Sequence, residues 1–281
     1  MRPSDVRVLF LGGGDLGTGA AHQLVSAGLR VGIVELATPL AVRRAVAFAE
    51  AARAGTIEVE GVRCVRVELE SFGGDAVPGV VPLCVAPIAT ALGRFTPQAV
   101  VDARMQKRPL EIEFGPGIFR VALGPGHVAG ADCDAVVETL RGPDLGRVVW
   151  QGSAAPDTRV PGEVGGEAAR RVLRAPVPGV LRLRARIGER VAAGAVVADV
   201  EGHPVASAIA GLVRGLLADG DRVDAGQKLG DIDPRPDAPP ADRISDKSRQ
   251  VGTGVLTAIA THFGIVLPGS LRHPVDGGPA D

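Results

Sequence analysis

Short apolar runs and longer stretches with helical periodicity alternate along the first half of the chain. The runs VRVLFLG at residues 6–12 and VGIVEL at residues 31–36 have the length and the β-branched content of buried strands. Between them, residues 16–27 have helical periodicity and end at Gly28. A strand, a glycine turn, a helix and a second strand in this order predict a βαβ unit.

The same alternation continues to residue 150. Residues 37–55 predict a second helix, with Pro39 near its start and Gly55 at its end, and residues 56–70 predict a hairpin. Further buried strands are expected at GVVPLCVAP, QAVVDAR and RVVW, and FRVALGPGHVAGADCDAVVETLRG repeats the order strand, glycine turn, helix. Strands that alternate with helices predict an α/β fold with a mostly parallel, doubly wound, Rossmann-like sheet over residues 1–152.

The pattern changes after residue 152. Residues 153–174 are rich in Gly and Pro, which predicts a connecting segment. Residues 179–200 then align without gaps on residues 211–232, at an offset of 32, and each copy carries two turn glycines. This internal repeat predicts a small pseudo-twofold β-sandwich over residues 175–235.

The repeat resembles the barrel-sandwich hybrid of biotinyl and lipoyl domains. Such domains carry their modified Lys at the tip of the hairpin between the two halves, and here that stretch is VEGHPVAS. Pro204 or its neighbour His203 stands where the Lys would be. The resemblance therefore implies the fold without the carrier chemistry, because there is no amine to acylate.

The last segment, residues 236–281, predicts a C-terminal helix and a tail. Ser245 or Asp246 has the character of an N-cap for a helix that runs toward His262. The last dozen residues are expected to be disordered.

Composition and charge narrow the classes of function. Hydrophobic residues make up 46% of the 281 residues and aromatic residues only 3%, so the core must consist of Val, Leu, Ile and Ala. A net charge of -1 gives no general electrostatic reason to bind nucleic acid or an anionic membrane. The N-terminus does not resemble a signal peptide, and no apolar run has the length of a membrane span, so a cytoplasmic protein is expected.

The stretch GGGDLGTG, at residues 12–19, is the first candidate site. Its glycines fit G-x-G-x-x-G, and the N-terminus of the following helix favours an anion such as phosphate. Glu35 ends the next strand, where a carboxylate can accept hydrogen bonds from a ribose. Asp15 would repel a phosphate unless a cation, or Arg43 and Arg44, offset it. The alternative is a glycine turn that only lets the helix pack on the strand.

The stretch GPGHVAG, at residues 124–130, is a second candidate anion-binding turn. His127 could serve as an acid or base near neutral pH, or lie in solvent. Asp102 ends a strand at the expected crevice rim, where it could also cap the next segment. Cys133 is expected at a helix start, which would lower the pKa of its thiol, although an inert packing residue is the alternative, as for Cys64 and Cys84. The odd number of cysteines and their spacing predict neither a disulfide framework nor a metal site.

Taken together, several stretches resemble one known family, the selenium-dependent molybdenum hydroxylase system proteins. These are accessory proteins of molybdenum hydroxylases of the xanthine dehydrogenase type. The stretches that carry the resemblance run in order over about nine-tenths of the chain: GGGDLGTGAAHQL, VELATPLAVRRAVAFAEA, AVVDARM, LGPGHVAGADCDAVVETLRGPDLGRV, GEVGG, RAPVPGV, GDIDPR and ISDKSRQVGTGVL. Two positions depart from the family pattern, because His127 stands where an aromatic residue is expected and Asp134 where a His is expected.

The resemblance implies a Rossmann-like part, a hybrid-like β part that docks or acts as a lid, and a role in making a molybdenum hydroxylase competent. The ligand implied is a nucleotide or a molybdopterin nucleotide, and the partner is the hydroxylase or its maturation machinery. No catalytic residue is implied, and neither an enzymatic activity nor a homo-oligomer is decided. Two alternatives remain, an NAD(P)-dependent oxidoreductase that uses Glu35 and a non-catalytic scaffold. The predicted ligand-binding residues are Gly12, Gly13, Gly14, Asp15, Gly17, Glu35, Arg43, Arg44, Asp102, Gly124, Pro125 and Gly126.

Overall fold

The computed structural model describes residues 1–75, 77–106, 109, 112, 114–157 and 162–266. The predicted tail lies mostly beyond these residues, and its predicted disorder stays outside what the structure describes. Within them, an α/β part comes first, with a large mixed sheet. Its strands are β1 (Arg7–Leu11), β2 (Arg30–Glu35), β3 (Thr56–Val59), β4 (Val62–Arg66), β5 (Val80–Val85), β6 (Ala99–Asp102), β7 (Phe119–Leu123), β8 (Ala135–Val137) and β9 (Val148–Val149).

The order of strands in this sheet is β3-β4-β5-β2-β1-β6-β7-β8-β9. Neighbours from β4 to β8 are parallel, and only the pairs at the two edges, β3 with β4 and β8 with β9, are antiparallel. The predicted α/β class, the hairpin at β3–β4 and the prevalence of parallel strands are thus confirmed. The helices are α1 (Asp15–Ser26), α2 (Ala51–Ala54), α3 (Ile88–Phe95) and α4 (Asp246–Phe263).

Alternate side chains of β1 pack on opposite faces of the sheet, as the period of a strand requires. Val8 and Phe10 share a core with buried residues of α1 and α4. Leu9 and Leu11 pack in a second cluster that contains Ala91 of α3. The central strand is therefore covered on both faces, which explains its continuous apolar sequence.

The prediction of one long helix at residues 37–55 is wrong. The segment instead contains two single 3₁₀ turns, at Arg44–Val46 and Phe48–Glu50, and the four-residue helix α2. Its backbone donors bond to other parts of the fold rather than to the preceding turn. The N–H of Phe48 donates to Thr18 Oγ1 at 2.8 Å, and the N–H of Ala49 donates to the carbonyl of Gly13 at 2.8 Å.

The helix predicted after the second glycine turn is also wrong. The chain passes from β7 through turns directly into β8, and the Asp132 carboxylate closes the connection by accepting from the N–H of Val128 at 2.9 Å. The buried, β-branched residues of β8 are used as a strand. Helix α4, from the far end of the chain, packs over β7 and β8 instead.

The second part contains two four-stranded antiparallel sheets, in the orders β10-β17-β15-β12 and β14-β13-β11-β16. The predicted repeat appears as a repeat of strands, since β11, β12 and β13 correspond to β15, β16 and β17. The short middle strand of each copy pairs with the first strand of the other copy, β12 with β15 and β16 with β11. The strands are β10 (Val172–Arg174), β11 (Gly179–Leu183), β12 (Arg190–Val191), β13 (Val196–Val200), β14 (His203–Ala206), β15 (Gly211–Leu216), β16 (Arg222–Val223) and β17 (Lys228–Asp233).

Two local details of this part differ from the sequence prediction. The last residues of the predicted connecting segment form β10, which pairs with β17. The hairpin between β13 and β14 turns at Glu201 and Gly202, so His203 and Pro204 lie in β14 rather than at the tip. The strand begins there because Val200 already pairs with His203 across the hairpin.

Helix α4 begins as predicted, with Ser245 as its N-cap, whose Oγ accepts from the N–H of Ser248 at 3.0 Å. It packs on α1 at very close range. A Cβ on Gly19 would lie 2.6 Å from the carbonyl oxygen of Ser248, and a Cβ on Gly252 would lie 2.8 Å from that of Gly19. Further along, Thr253 donates to Gln23 at 3.1 Å, so the two helices run parallel. Among the described residues, no helix has the length and hydropathy needed to span a membrane.

Candidate functional site

A cleft of about 870 Å³ lies between the carboxyl end of the large sheet and the second part of the chain. The first glycine loop, the segments after β2 and β6 and the start of α4 form one side, and residues of β15 and β17 form the other. Ligands of open α/β sheets bind outside the carboxyl ends of the strands. The volume falls in the upper range of small-molecule sites.

The glycines of the first loop have different roles. Gly12 has a φ of +91°, which disfavours any side chain. A Cβ on Gly13 would lie 2.8 Å from the backbone nitrogen of Ala49, and one on Gly17 would lie 2.7 Å from the carbonyl of Gly12. Gly14 lines the cleft, and a Cβ there would meet nothing within 4 Å. The loop therefore needs three of its glycines for its own conformation and packing, whereas Gly14 faces open space in the cleft.

Glu35 holds this loop together. Its Oε2 accepts from the N–H of Gly13 at 2.7 Å, and its Oε1 accepts from the N–H of Leu36 at 2.7 Å. The N–H of Gly12 donates to the carbonyl of Val34 at 3.0 Å. Two amides of the loop are thus engaged within the protein. The donors left for an anion are those of the first turn of α1, which have no acceptor inside the helix.

The cation beside Asp15 is Lys247, in the first turn of α4, rather than the predicted Arg43 and Arg44. Lys247 lines the cleft with Asp15 and Glu138. Burial lowers the pKa of Lys247, and the nearby Asp15 carboxylate partly opposes that shift. A basic residue in the first turn of a helix opposes the helix dipole, and this unusual placement is the sequence signal that could have identified Lys247.

Arg43 and Arg44 instead lie toward the second part. Arg44 donates from Nε to the carbonyl of Leu216 at 2.9 Å and pairs with Glu50 at 3.3 Å. Arg43 lines the cleft and donates to the carbonyl of Arg243 at 3.3 Å. The reason is that the segment predicted to be helical runs along β15, which carries its side chains away from the glycine loop.

The N-termini of α1 and α4 lie side by side at the cleft, because the two helices are parallel and in close contact. Helix α1 contributes first-turn N–H groups that have no acceptor inside the helix, and both helices contribute the positive end of their dipole. Asp15 and Lys247, one in the first turn of each helix, both line the cleft. Their charges offset each other, and Asp246, also in the first turn of α4, is paired with Arg141 at 2.6 Å. The dipoles of the two helix ends therefore favour an anion.

The second glycine turn brings together several predicted residues. Gly124 and Gly126 have φ values of +73° and +101°, and the intervening Pro125 lines the cleft. The N–H of Gly124 donates to the carbonyl of Val137 at 2.9 Å, so that amide is not available to an anion. A Cβ on Gly124 would lie 2.6 Å from Thr139 Oγ1. This turn is therefore stabilised by its own contacts more than it is open to a ligand.

Asp102 and His127, predicted separately, are neighbours. The imidazole of His127 is buried rather than solvent-facing, and its Nε2 lies 3.9 Å from Asp102 Oδ2. Asp102 accepts two hydrogen bonds from the guanidinium of Arg104, at 2.9 and 2.6 Å, and a third from its backbone N–H at 3.1 Å. Asp102 thus caps the next segment, as one of its two readings predicted, and it does not itself line the cleft, which its neighbours Ala103 and Arg104 do. Arg104, which lines the cleft, was missed by the sequence analysis.

The cysteines lack the features of reactive thiols. Cys133 precedes a strand, not a helix, and burial raises its pKa to about 11. The predicted lowering of that pKa is wrong, because the helix whose dipole would cause it does not form. Burial also raises the pKa of Cys64 and of Cys84. Within the described ranges, no group of three or more His, Cys, Asp or Glu side chains is arranged to hold a metal ion.

The second part adds a set of charged residues that the sequence analysis did not select. Arg171 donates to Asp231 at 2.6 Å, and Arg235 binds both oxygens of Asp233, at 2.9 and 2.7 Å. Asp231 and Asp233 alternate along β17 and therefore lie on one face. The alternation of acidic residues in this strand is a feature of the sequence from which these charged positions could have been identified. Arg43 of the first part, which the sequence analysis did select, lines the cleft beside them. We call the following cleft-lining residues the basic wall: Arg43, Arg171, Arg214, Lys228, Asp231, Asp233 and Arg235.

The chain is similar to a curated protein, the uncharacterized protein YqeB of Escherichia coli (strain K12), with 40% identity over 256 residues. The match covers 90% of this chain and 47% of YqeB, so the chain spans about half the length of that relative. No family model matches the chain.

Among solved structures, the chain aligns with the apo form of the ectoine utilization protein EutE (DoeB) from Ruegeria pomeroyi. The identity is 12%, the TM-score is 0.25, and 81% of this chain and 86% of that chain are covered. An aspartoacylase family protein from Mesorhizobium loti aligns with 12% identity and a TM-score of 0.26, over 81% of this chain and 84% of that chain. At these TM-scores the likeness carries no argument about this chain.

Proposed function

We propose that this protein binds a phosphate-bearing, nucleotide-like ligand at the GGGDLG loop. The observation that carries the proposal is the convergence of two parallel helix N-termini, those of α1 and α4, on the cleft beside Gly14. The first-turn N–H groups of α1, the dipoles of the two helices and the ammonium group of Lys247 together favour a phosphate. Gly14 supports close approach, because its missing side chain leaves open space on the cleft side.

The residues present fit a nucleotide or a molybdopterin nucleotide. The cleft has the volume for such a ligand. Beyond the loop, the exposed side chains of Leu36 and Leu40 line the cleft with 69% and 50% of their surface accessible, and they can cover a planar heterocycle. A bound ligand of this kind would supply the pterin or nucleotide chemistry. The protein would orient its phosphate and exclude water.

On the sequence resemblance, we further propose that the protein is an accessory factor in the maturation of a molybdenum hydroxylase. The step is cofactor insertion, sulfuration or selenation, and the partner is the hydroxylase or its maturation machinery. The same resemblance supports a Rossmann-like large sheet and a hybrid-like second part. The position of that second part over the cleft supports a role as a lid or docking module.

The alternative of an NAD(P)-dependent oxidoreductase has less support from the geometry. Its ribose acceptor would be Glu35, whose two carboxylate oxygens already accept from the amides of Gly13 and Leu36. A non-catalytic scaffold would not need Gly14 to face an open cleft. Neither alternative gains a specific observation in its favour.

Thermal-shift titration tests the ligand-binding part. Wild type is titrated with NAD(H), NADP(H), ATP, CTP and molybdopterin nucleotides, and a ligand at a hundredfold excess over its Kd should stabilise the protein by about 2.7 kcal/mol. Gly14→Val should abolish the shift while the protein stays folded. The matched control is Gly93→Val, at a glycine of α3 where a Cβ also meets nothing within 4 Å. No shift with any ligand of the panel would refute this proposal.

A deletion strain tests the maturation part. It should still make the hydroxylase polypeptide, but with little activity and with a defect at the cofactor, such as a missing terminal sulfur or selenium ligand. Complementation should succeed with wild type and with Gly93→Val, and fail with Gly14→Val. Full hydroxylase activity in the deletion strain, grown with ample molybdenum, would contradict the maturation role.

A further inference from the structure

Two arginines from distant parts of the sequence, Arg43 and Arg214, both belong to the basic wall. Arg43 follows Val42, and Val42 packs directly on Gly215 of β15, where a Cβ would lie 2.7 Å from the Val42 carbonyl oxygen. Arg214 precedes that glycine in the same strand. The bond from Arg44 Nε to the carbonyl of Leu216, at 2.9 Å, continues the contact by one residue. Close packing at Gly215 therefore joins the segment of Arg43 to the strand of Arg214, and both side chains line the same cleft.

Among the residues that the structure describes, neither guanidinium is neutralised by a carboxylate of its own. The side chain of Arg214 is only 8% exposed, and its one hydrogen bond among the described residues runs from Nη1 to the carbonyl of Pro239 at 2.7 Å. The Oδ2 of Asp233 lies 3.9 Å from Arg214 Nη1, and both oxygens of that carboxylate accept hydrogen bonds from Arg235. Within the same described part, the Nε of Arg43 is buried without a hydrogen-bond partner.

The basic wall as a whole carries an excess of positive charge. Its five basic residues lie among two carboxylates, and Asp231 is shared between Arg171 at 2.6 Å and Lys228 at 3.6 Å. Burial lowers the pKa of Arg214, and the like charge of Arg43 lowers it further. An arrangement that keeps two close cations in a cleft is costly without an anion between them. An arginine fork matches the oxygens of a phosphate group.

We propose that Arg43 and Arg214 form a second phosphate subsite of this cleft, in the basic wall. This inference rests on the proposed function, since the first phosphate of the ligand is the one at Gly14 and Lys247. The ligand class is then a compound with two separated phosphate groups, such as a dinucleotide or a nucleoside polyphosphate. Its second phosphate joins the two parts of the chain, because Arg43 belongs to the first part and Arg214 to the second.

Equilibrium dialysis with radiolabelled inorganic phosphate tests the inference on the full-length protein. Wild type should bind about two phosphates per chain, one at each cationic subsite. Arg214→Met should lose one of them and keep the other. Gly14→Val should lose the phosphate at the glycine loop and keep the one at Arg43 and Arg214. If the buried Arg214→Met protein does not fold, the less buried Arg43→Met variant carries the same expectation. The control is Arg182→Met, whose side chain is 59% exposed and pairs with Asp219 outside the cleft.

The two proposals fail in different ways. Unchanged phosphate binding in folded Arg214→Met and Arg43→Met, with a loss in Gly14→Val, would overturn the second subsite alone. A loss in Arg214→Met with unchanged binding in Gly14→Val would support the second subsite and contradict the loop site. A loss in Arg182→Met equal to that in Arg214→Met would overturn the subsite as nonspecific. No saturable binding to wild type would overturn both.

Discussion

The carboxylate of Glu35 accepts a 2.7 Å hydrogen bond from the backbone N–H of Gly13. This bond joins the end of β2 to the glycine loop after β1, and the second carboxylate oxygen accepts from the N–H of Leu36. An acidic residue that the sequence marks as a ribose acceptor is thus part of the structure of the loop itself. Its removal has consequences for stability as well as for ligand binding.

Glu35→Ala should lower the free energy of unfolding by about 1–3 kcal/mol, because two backbone donors lose their acceptor. Urea denaturation of wild type and variant measures the change. Glu58→Ala, at an exposed position of β3, is the control and should be within about 0.5 kcal/mol of wild type. Equal stability of Glu35→Ala and wild type would show that the bond contributes nothing and that Glu35 is free for a ligand.

Gly19→Ala should destabilise the protein, although alanine is the better helix former by about 1 kcal/mol. The added methyl would meet the backbone of Ser248 and push α4 away from α1, at a cost of about 1–3 kcal/mol before the propensity gain. Gly93→Ala, in α3 with open space around its Cβ, should instead be neutral or stabilising. Thermal melts of the two variants should therefore shift in opposite directions, and a higher melting temperature for Gly19→Ala would contradict the close contact.

Lys247→Met should raise the stability of the protein while it lowers the affinity for the phosphate ligand. The substitution removes a cation that is partly buried at the N-terminus of α4, so the free energy of unfolding should rise by about 0.3–1 kcal/mol. Affinity for the phosphate ligand should fall at least tenfold, which corresponds to about 1.4 kcal/mol. Lys247→Arg, which keeps the charge, should retain most of the affinity. Loss of stability together with unchanged affinity would show that Lys247 has a structural role only.

Acid should weaken the attachment of α4 to the β3–β4 hairpin through Glu60. Its pKa is lowered: burial opposes this, but hydrogen bonds from Arg249 and from the N–H of Ile244, at 2.5 and 2.9 Å, outweigh burial. A lowered folded-state pKa means that Glu60 contributes stability above its ordinary value of 4.5, and that this is lost as the pH falls through the lowered value.

Glu60→Gln should therefore be less stable than wild type at pH 7. The difference should begin to shrink below about pH 4.5, where Glu60 is protonated in the unfolded chain, and should be lost as the pH falls through the lowered pKa of the folded state. Chemical denaturation at a series of pH values measures this. Glu58→Gln is the control for general charge effects. A difference that stays constant with pH would rule out ionisation of Glu60 as the cause.

The three thiols should resist alkylation in the native protein. Cys64, Cys84 and Cys133 are buried, and a thiol with a pKa of about 11, as at Cys133, has about one ten-thousandth of its population as thiolate at neutral pH. Mass spectrometry after iodoacetamide treatment should show no label on the native chain and three labels after denaturation. Rapid native labelling of Cys133 would restore the hypothesis of a reactive carrier thiol.

The sequence by itself determined the features that depend on local pattern. Apolar runs of strand length predicted β1, β2, β5 and β6, because a strand buried on both faces is continuously apolar. The offset of 32 residues predicted the paired strands of the second part, because similar sequences form similar hairpins. Ser245 predicted the start of α4, because its hydroxyl satisfies a donor only a few residues away.

Only the tertiary structure decided what covers each face and which side chains meet. Residues 37–55 have helical periodicity, yet their donors bond to the loop and α1, a choice that depends on partners distant in sequence. The place expected for a helix after β7 is taken by α4, which puts Lys247 beside Asp15. Arg43 and Arg214 line the same cleft because Gly215 admits Val42 against β15. Periodicity shows that a face is buried but not what buries it, and the candidate site consists of such long-range contacts.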